Sequence, residues 1–177
     1  FIKDVLRRNE LISTPFAIFY NATAAKVLRR PETKVANDIA EKMRSGIILD
    51  LGSGPGYLSI DIARRSPGLQ VYGIDLSRQM VKIAKRHAKG VNNAQFVFGN
   101  AAKLPFKDRS IDLVISTGAL HHWKAPRVAF DECHRVLKTG GEAWIYDGCP
   151  EVFSDSANRR KLRDEYGFFV GRLGPRV

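Results

Sequence analysis

The feature that most constrains this chain is an apolar run followed by a loop with glycine at alternate positions, over residues 47–57. The run predicts a short buried strand, Gly52, Gly54 and Gly56 predict a tight turn, and the residues after them predict a helix. Glycine leaves no side chain between backbone and ligand, and the first turn of a helix carries N–H groups without intrahelical partners. The stretch therefore predicts a loop that holds a nucleotide-like ligand, with a plain tight turn as the alternative.

Beyond this unit, continuous apolar runs alternate with amphipathic helical patterns. That alternation is typical of a parallel sheet with helices on both faces, so the sequence predicts an α/β fold. In the last helix we expect Cys133 to be a small core residue and Gly140-Gly141 to form the C-terminal cap. The predicted strands are 47–51, 70–74, 95–98, 111–116 and 142–147, and the predicted helices are 57–66, 77–89 and 125–138.

The residues before the first strand have helical periodicity. We expect helices over 1–12 and from Phe16 to about Leu28, and a third that Pro31 opens and Ser45-Gly46 ends. The sequence thus predicts a helical N-terminal cap over residues 1–46 and an α/β domain over residues 47–177, together forming one structural unit.

A carboxylate after the second predicted strand narrows the choice of ligand. Asp75 lies 21 residues after Gly54, where it would stand beside the loop and accept hydrogen bonds from both hydroxyls of a ribose. The alternative role for Asp75 is the N-cap of the following helix, but Ser77 is the better candidate for that cap. The third glycine comes one residue too early for the dinucleotide fingerprint, and Pro55 removes an N–H donor. A ligand with a ribose and an amino-acid end but no phosphates fits better, and S-adenosyl-L-methionine (SAM) is such a ligand.

Five segments in order resemble the motifs of class I SAM-dependent methyltransferases. Asp50-Leu51-Gly52-Ser53-Gly54-Pro55-Gly56 is similar to their first motif. The resemblance implies a Rossmann-like three-layer sandwich with a mostly parallel sheet, SAM as cofactor, S-adenosyl-L-homocysteine as product and no metal. The Leu-Pro-Phe and His-His segments are most similar to the small-molecule branch, which includes the ubiquinone/menaquinone C-methyltransferases. The other four segments are 71–77, 99–106, 112–123 and 135–141.

The same resemblance implies a role for each matching position. Around the methionine part of SAM, the backbone of the glycine loop passes beneath the ligand and Asp50 orients the loop or reaches the ammonium group. Thr117 lies beneath the amino-acid end, and Tyr20, on the N-terminal helix, caps the pocket or is simply an aromatic on a helix face. The positions at this end of the ligand are Tyr20, Asp50, Gly52, Ser53, Gly54, Gly56 and Thr117.

At the nucleoside end, the resemblance implies that Asp75 grips the ribose and that Leu76 and Ala101 flank the adenine ring. Asn100 would meet the adenine amino group, where the family usually has Asp. Asn still accepts a hydrogen bond, so we expect binding to survive; losing a charge-assisted bond costs on the order of 1 kcal/mol. Without the other motifs Asn100 would be an ordinary loop residue.

His121 and His122 are the candidate catalytic residues. They follow the fourth predicted strand, at the sheet edge where ligands bind, and a neutral His suits proton abstraction near pH 7. A base is needed only if the methyl acceptor must lose a proton. The alternative is that one packs beside Trp123 and the other faces solvent. Two adjacent His supply no third ligand, which argues against a metal.

Composition limits the partners. The net charge is +11, which leaves nucleic acid open as a partner without favouring it over a small-molecule methyl acceptor. The functional alternatives are an RNA methyltransferase and a SAM-binding protein without catalysis. Residues 116–120 lack the Asn/Asp-Pro-Pro-Tyr loop of base amino-group methyltransferases. No apolar run approaches a membrane span and no signal-peptide pattern is seen, so we expect a cytoplasmic protein.

The C-terminal part is short for the fold that the resemblance implies. Residues 147–177 are too few for two antiparallel edge strands and the helix between them. We therefore expect the C-terminal strands of the sheet to be incomplete in this chain, or the edge to be completed by a second copy in a homodimer.

Overall fold

The computed structural model describes residues 24–147 and 170–173 of the 177. Helices and strands alternate along them, as the apolar pattern predicts. The helices are α1 (Ala24–Lys42), α2 (Tyr57–Arg65), α3 (Arg78–His87) and α4 (Pro126–Val136), with a 3-10 turn at Leu120–His122. The strands are β1 (Gly46–Leu51), β2 (Leu69–Asp75), β3 (Ala94–Phe98), β4 (Ile111–Thr117), β5 (Leu137–Tyr146) and β6 (Val170–Leu173).

The strands form one mostly parallel sheet in the order β3-β2-β1-β4-β5-β6. The first five run parallel, and β6 pairs antiparallel with β5. The order reverses between β1 and β4, which makes the carboxyl ends of these strands the switch point where open α/β sheets bind ligands. The predicted Rossmann-like α/β fold is confirmed, and one antiparallel strand lies at the edge where we expected the sheet to be incomplete.

Hydrophobic cores fill both faces of the sheet. Neighbouring residues of β1 point to opposite sides: Ile48 packs in a cluster with helices α1 and α2, and Leu49 packs in a cluster with α4. Both side chains are fully buried, as expected of a parallel strand covered on two faces. Cys133 belongs to the α4 side and is buried, which confirms it as a core residue, and burial raises the pKa of its thiol to about 12.

The predicted start of the third helix is wrong. Helix α1 runs from Ala24 through Pro31 to Lys42 without interruption, so Pro31 does not open it. A proline removes a single N–H donor, and the turns after it are held by the burial of Val35 and Ile39 against the sheet. The predicted helix over 1–12 lies outside the described residues, as does the part before Ala24 of the helix predicted from Phe16 to about Leu28. Helix α1 packs in the same core as the sheet and α2. The boundary at residue 46 between an N-terminal cap and the α/β domain therefore stays a prediction.

The predicted cap of the last helix is also wrong. Helix α4 ends at Val136, and β5 starts at once with Leu137, so Gly140 and Gly141 lie within a strand. The pairing with β4 shifts from Ile111↔Leu137 to Leu113↔Glu142, so β5 has extra residues there. Gly140 has φ +80°, and glycine supplies this left-handed conformation to a bulge without steric cost.

Candidate functional site

The glycine loop between β1 and α2 is tied to β2 by its own backbone. Its N–H groups donate within the protein, and Pro55 has none. A phosphate cradle needs free N–H donors, so this loop suits a ligand without phosphates. The bonds run from the N–H groups of Gly52 and Ser53 to the Ile74 carbonyl (2.8 and 3.0 Å), of Gly54 to the Asp75 carboxylate (2.8 Å) and of Gly56 to the Ser53 carbonyl (2.9 Å).

All three glycines of the loop have a left-handed φ, and two of them, Gly52 and Gly56, also leave no room for a Cβ. Gly52 has φ +74°, and a Cβ there would lie 2.3 Å from the Ala119 Cβ, so the close approach of the two loops demands glycine. Gly54 has φ +51°, and a Cβ there would meet nothing within 4 Å. Gly56 packs closely against Phe96 and Ala84. Gly54 is therefore the part of the loop that faces open space.

Asp50, at the end of β1, is a buried carboxyl group. It is only 2% exposed, and its Oδ2 accepts a hydrogen bond of 2.5 Å from the Ser59 hydroxyl. Burial raises the pKa of Asp50 to about 7, with a smaller contribution from the nearby Asp75 and an opposing one from Ser59. A positively charged ligand group would offset the cost of burying this carboxylate. Ser59 was not predicted from the sequence, although a serine on the buried face of a predicted helix was a usable signal.

Asp75, at the end of β2, joins the loop to α3. One carboxylate oxygen accepts the Gly54 N–H at 2.8 Å and the other accepts the Ser77 N–H at 2.7 Å. Burial raises the pKa of Asp75, and these two hydrogen bonds oppose the rise. Each oxygen keeps a second lone pair, which could accept a hydrogen bond from a ribose hydroxyl. Ser77 is the N-cap of α3, as predicted, because its hydroxyl accepts the Met80 N–H at 3.3 Å.

A small cavity of about 30 Å³ lies over the loop at the switch point. It brings together Asp50, Gly54 and Thr117, three of the predicted positions, with Gly52 and Ser53 beside them. The cavity wall also includes residues that the sequence analysis did not select. Glu32 comes from α1, far away in the sequence, and no local pattern could have found it. The added residues are Glu32, Pro55, Tyr57 and Leu58.

The predicted adenine positions lie farther along the same edge and do not line this cavity. The Gly99 N–H donates to the Asp75 carbonyl at 3.1 Å, which places the loop after β3 beside β2. In that loop Asn100 is exposed, and its Oδ1 accepts the Ala102 N–H at 2.9 Å. Leu76 is half-buried after β2, and Ala101 packs against the α4-side core.

An arginine on α4 fixes the segment that follows the predicted adenine loop. Arg135 donates to the Leu104 and Phe106 carbonyls at 3.1 and 2.9 Å, and pairs with Glu132 and Asp108. The hydrogen bonds from Arg135 lower the pKa of Glu132, which also accepts the Leu104 N–H at 2.7 Å. This network was not predicted, because it joins side chains to carbonyls about 30 residues away.

The candidate catalytic histidines lie just past β4, as the sequence order predicts. His121 and His122 belong to the 3-10 turn at Leu120–His122, and the His122 N–H donates to the Ala119 carbonyl at 3.0 Å. His122 is half-buried and is not part of the cavity wall. Tyr20, the predicted cap of the pocket, lies outside the described residues.

The described residues contain neither a candidate metal cluster nor a membrane-spanning helix. Residues 24–147 and 170–173 contain no group of three or more His, Cys, Asp or Glu side chains that could hold a metal ion. Over these ranges, none of the helices combines the length and the apolar character needed to cross a bilayer.

Comparison with known proteins agrees with this geometry. The chain is 34% identical over 139 residues to the demethylmenaquinone methyltransferase of Chlorobaculum tepidum, covering 78% of this chain and 52% of that one. It is 37% identical over 99 residues to the malonyl-[acyl-carrier protein] O-methyltransferase of a Marinomonas species, covering 55% and 36%. The chain thus spans about half or less of the length of these relatives.

A solved structure from Methanococcus maripaludis, described as a candidate SAM-dependent methyltransferase, superposes with a TM-score of 0.70 at 26% identity. The match covers 85% of this chain and 71% of that one. Residues 49–145, more than half of the chain, match a family described as the methyltransferase domain. The matched residues include the glycine loop, Asp75 and the strands that position them. The chain therefore belongs to the methyltransferase domain family.

Proposed function

We propose that this chain is the SAM-binding part of an enzyme that transfers a methyl group to a small-molecule acceptor. The observation that carries the proposal is the pairing of two carboxylates, Asp50 and Asp75, with a glycine loop whose N–H groups are already used. Such a site favours a ligand that brings hydroxyls and a positive charge and carries no phosphate. SAM has a ribose, an ammonium group and a sulfonium group.

The residues present fit that ligand. Asp75 would accept hydrogen bonds from the ribose hydroxyls with the lone pairs left over from Gly54 and Ser77. Asp50 would face the ammonium group from the cavity, with Gly54 and Thr117 beside it. Leu76, Asn100 and Ala101 would hold the adenine farther along the edge, and Tyr20 would cap the site. When bound, SAM supplies an electrophilic methyl group, so the protein mainly aligns the acceptor and excludes water.

The acceptor is proposed from the relatives and the position of the histidines. The similar proteins are named for methylating demethylmenaquinone and a malonyl group on acyl-carrier protein, which supports a small organic acceptor. His121 or His122 would take the acceptor's proton if it has one to lose. We further propose that the reaction needs no metal, that the protein is cytoplasmic, that a homodimer could complete the sheet edge, and that residues 1–46 form a cap on the 47–177 domain.

The ribose contact can be tested with a matched pair of substitutions. Asp75→Asn should weaken SAM binding about tenfold or more, because the amide cannot replace a charged acceptor of hydroxyls. Asp61→Asn, on the exposed side of α2 where Asp61 pairs with Arg65, should leave the affinity unchanged. Isothermal titration calorimetry measures both.

A second ligand separates a ribose contact from a merely structural role of Asp75. S-adenosylhomocysteine should bind more weakly to Asp75→Asn than to the wild type, whereas its 2′,3′-dideoxy analogue should bind both proteins equally. An equal loss for both ligands would show that Asp75 only holds the loop, and would contradict the assignment.

A further inference from the structure

A second groove lies on the outer face of α3, away from the glycine loop. Its cavity has a volume of about 430 Å³, and Val81 and Phe98 are its apolar residues. Five cationic side chains surround them: Arg78, Lys82, Lys85, Arg86 and Lys89. We call these seven residues the basic groove.

The charge of the basic groove is concentrated and uncompensated. No Asp or Glu occurs between Asp75 and Asp108, whereas seven Lys or Arg do. Within the described part of the chain, no carboxylate lies within ion-pair distance of any of the five cations. Charges this close repel one another, so the surface gains most from a ligand that carries several negative charges.

The cations form a row. The spacing from Arg78 through Lys82 to Arg86 puts them on one face of α3, over a rise of about 12 Å along the helix axis. A row of this length matches a chain of phosphates better than the single phosphate group of a mononucleotide.

An exposed aromatic ring lies at the end of the row. Phe98 is 43% exposed, and the Arg78 guanidinium lies over its ring at 4.1 Å from the centroid. Single-stranded nucleic acids are bound by the combination of a basic groove along the backbone and an aromatic or guanidinium plane on which a base stacks.

We propose that the basic groove binds single-stranded nucleic acid, with the cations on phosphates and the Arg78–Phe98 pair against a base. The proposal goes beyond methyl transfer and does not depend on it. Because the groove shares no residue with the cavity at the glycine loop, SAM binding and nucleic-acid binding can fail separately.

The test is fluorescence anisotropy with a fluorescein-labelled RNA of about 12 nucleotides and mixed sequence, titrated with the full chain at several salt concentrations. If all five cations meet phosphates, the slope of log K against log salt should be about −3.5. The triple variant Lys82→Gln/Lys85→Gln/Lys89→Gln should reduce the slope to about −1.4 and weaken binding at least about tenfold. Phe98→Leu should weaken binding about fivefold or more without changing the slope.

The control removes the same charge elsewhere: Arg64→Gln/Lys107→Gln/Arg127→Gln changes three exposed cations outside the basic groove. Retention of affinity and slope by this variant supports the proposal. Equal losses in the two triple variants, absence of RNA binding by the wild type, or complete displacement of RNA by an equal concentration of AMP would overturn it. Groove-dependent binding to phosphatidylglycerol vesicles without binding to RNA would overturn it in favour of a membrane.

Discussion

The two faces of α3 present opposite chemistry. On the inner face, Ala84 packs against Gly56, and the His87 ring shares a 2.9 Å hydrogen bond with the Pro55 carbonyl, so the helix supports the glycine loop that lies beside the carboxyl groups of Asp50 and Asp75. On the outer face the same helix carries the basic groove. The charge of the described residues is therefore unevenly distributed: acidic groups lie beside the glycine loop, which we propose for a cationic ligand, and cations line the opposite face of the same helix.

The largest effect should come from a substitution at Gly52, in the glycine loop that the inner face of α3 supports. In Gly52→Ala the new Cβ would lie 2.3 Å from the Ala119 Cβ at a left-handed φ, so we expect a loss of about 3 to 5 kcal/mol in unfolding free energy. Gly54→Ala is the matched control, because its Cβ would meet nothing, and should cost about 1 to 2 kcal/mol. Urea unfolding followed by circular dichroism measures both, and equal losses would show that the contact with Ala119 is not tight.

Neutralising Asp50 should have a smaller effect that depends on pH. Its pKa is raised to about 7, so its charged form destabilises the native state: that part of the stability is present in acid and is lost as pH rises through about 7. Asp50→Asn should therefore be more stable than the wild type at pH 8, while binding SAM about tenfold more weakly. The difference in unfolding free energy should vanish near pH 4. A wild-type stability that increases between pH 5 and 8 relative to the variant would contradict the buried-charge account.

The smallest effect should come from removing the N-cap of α3, the helix that carries both faces. Ser77→Ala removes the bond to the Met80 N–H and should cost about 1 kcal/mol in unfolding free energy. Since Ser77 belongs neither to the cavity wall nor to the basic groove, SAM and RNA affinities should stay within about twofold of the wild type. Thermal melts and the two binding assays check this, and a larger loss of either affinity would show that Ser77 also shapes that site.

The sheet was predictable where burial dictates the residues. β1 and β2 were predicted to within one residue at each end, because strands covered on both faces must be continuously apolar. The irregular start of β5 was not predictable, because a Gly-Gly pair after a helix is equally typical of a helix C-terminal cap and of a β-bulge.

For the candidate site, sequence order correctly placed Asp50, Asp75 and Thr117 at one sheet edge. The contacts that define their chemistry come from elsewhere. Ser59 bonds Asp50 from the next helix, and Glu32 reaches the cavity from α1. The use of the loop's N–H groups by Ile74 and Asp75 depends on the distance between two strands, which no residue pattern encodes.

The central claim, that the glycine loop serves a cationic ribose ligand and not a pyrophosphate, is tested most directly by calorimetry on the wild-type chain. SAM and NADH are titrated in parallel into the same protein preparation. We expect saturable SAM binding and no NADH binding, since the N–H groups of Gly52, Ser53, Gly54 and Gly56 already donate within the protein and Pro55 has none. Saturable NADH binding, or the absence of SAM binding by a folded chain, would contradict it.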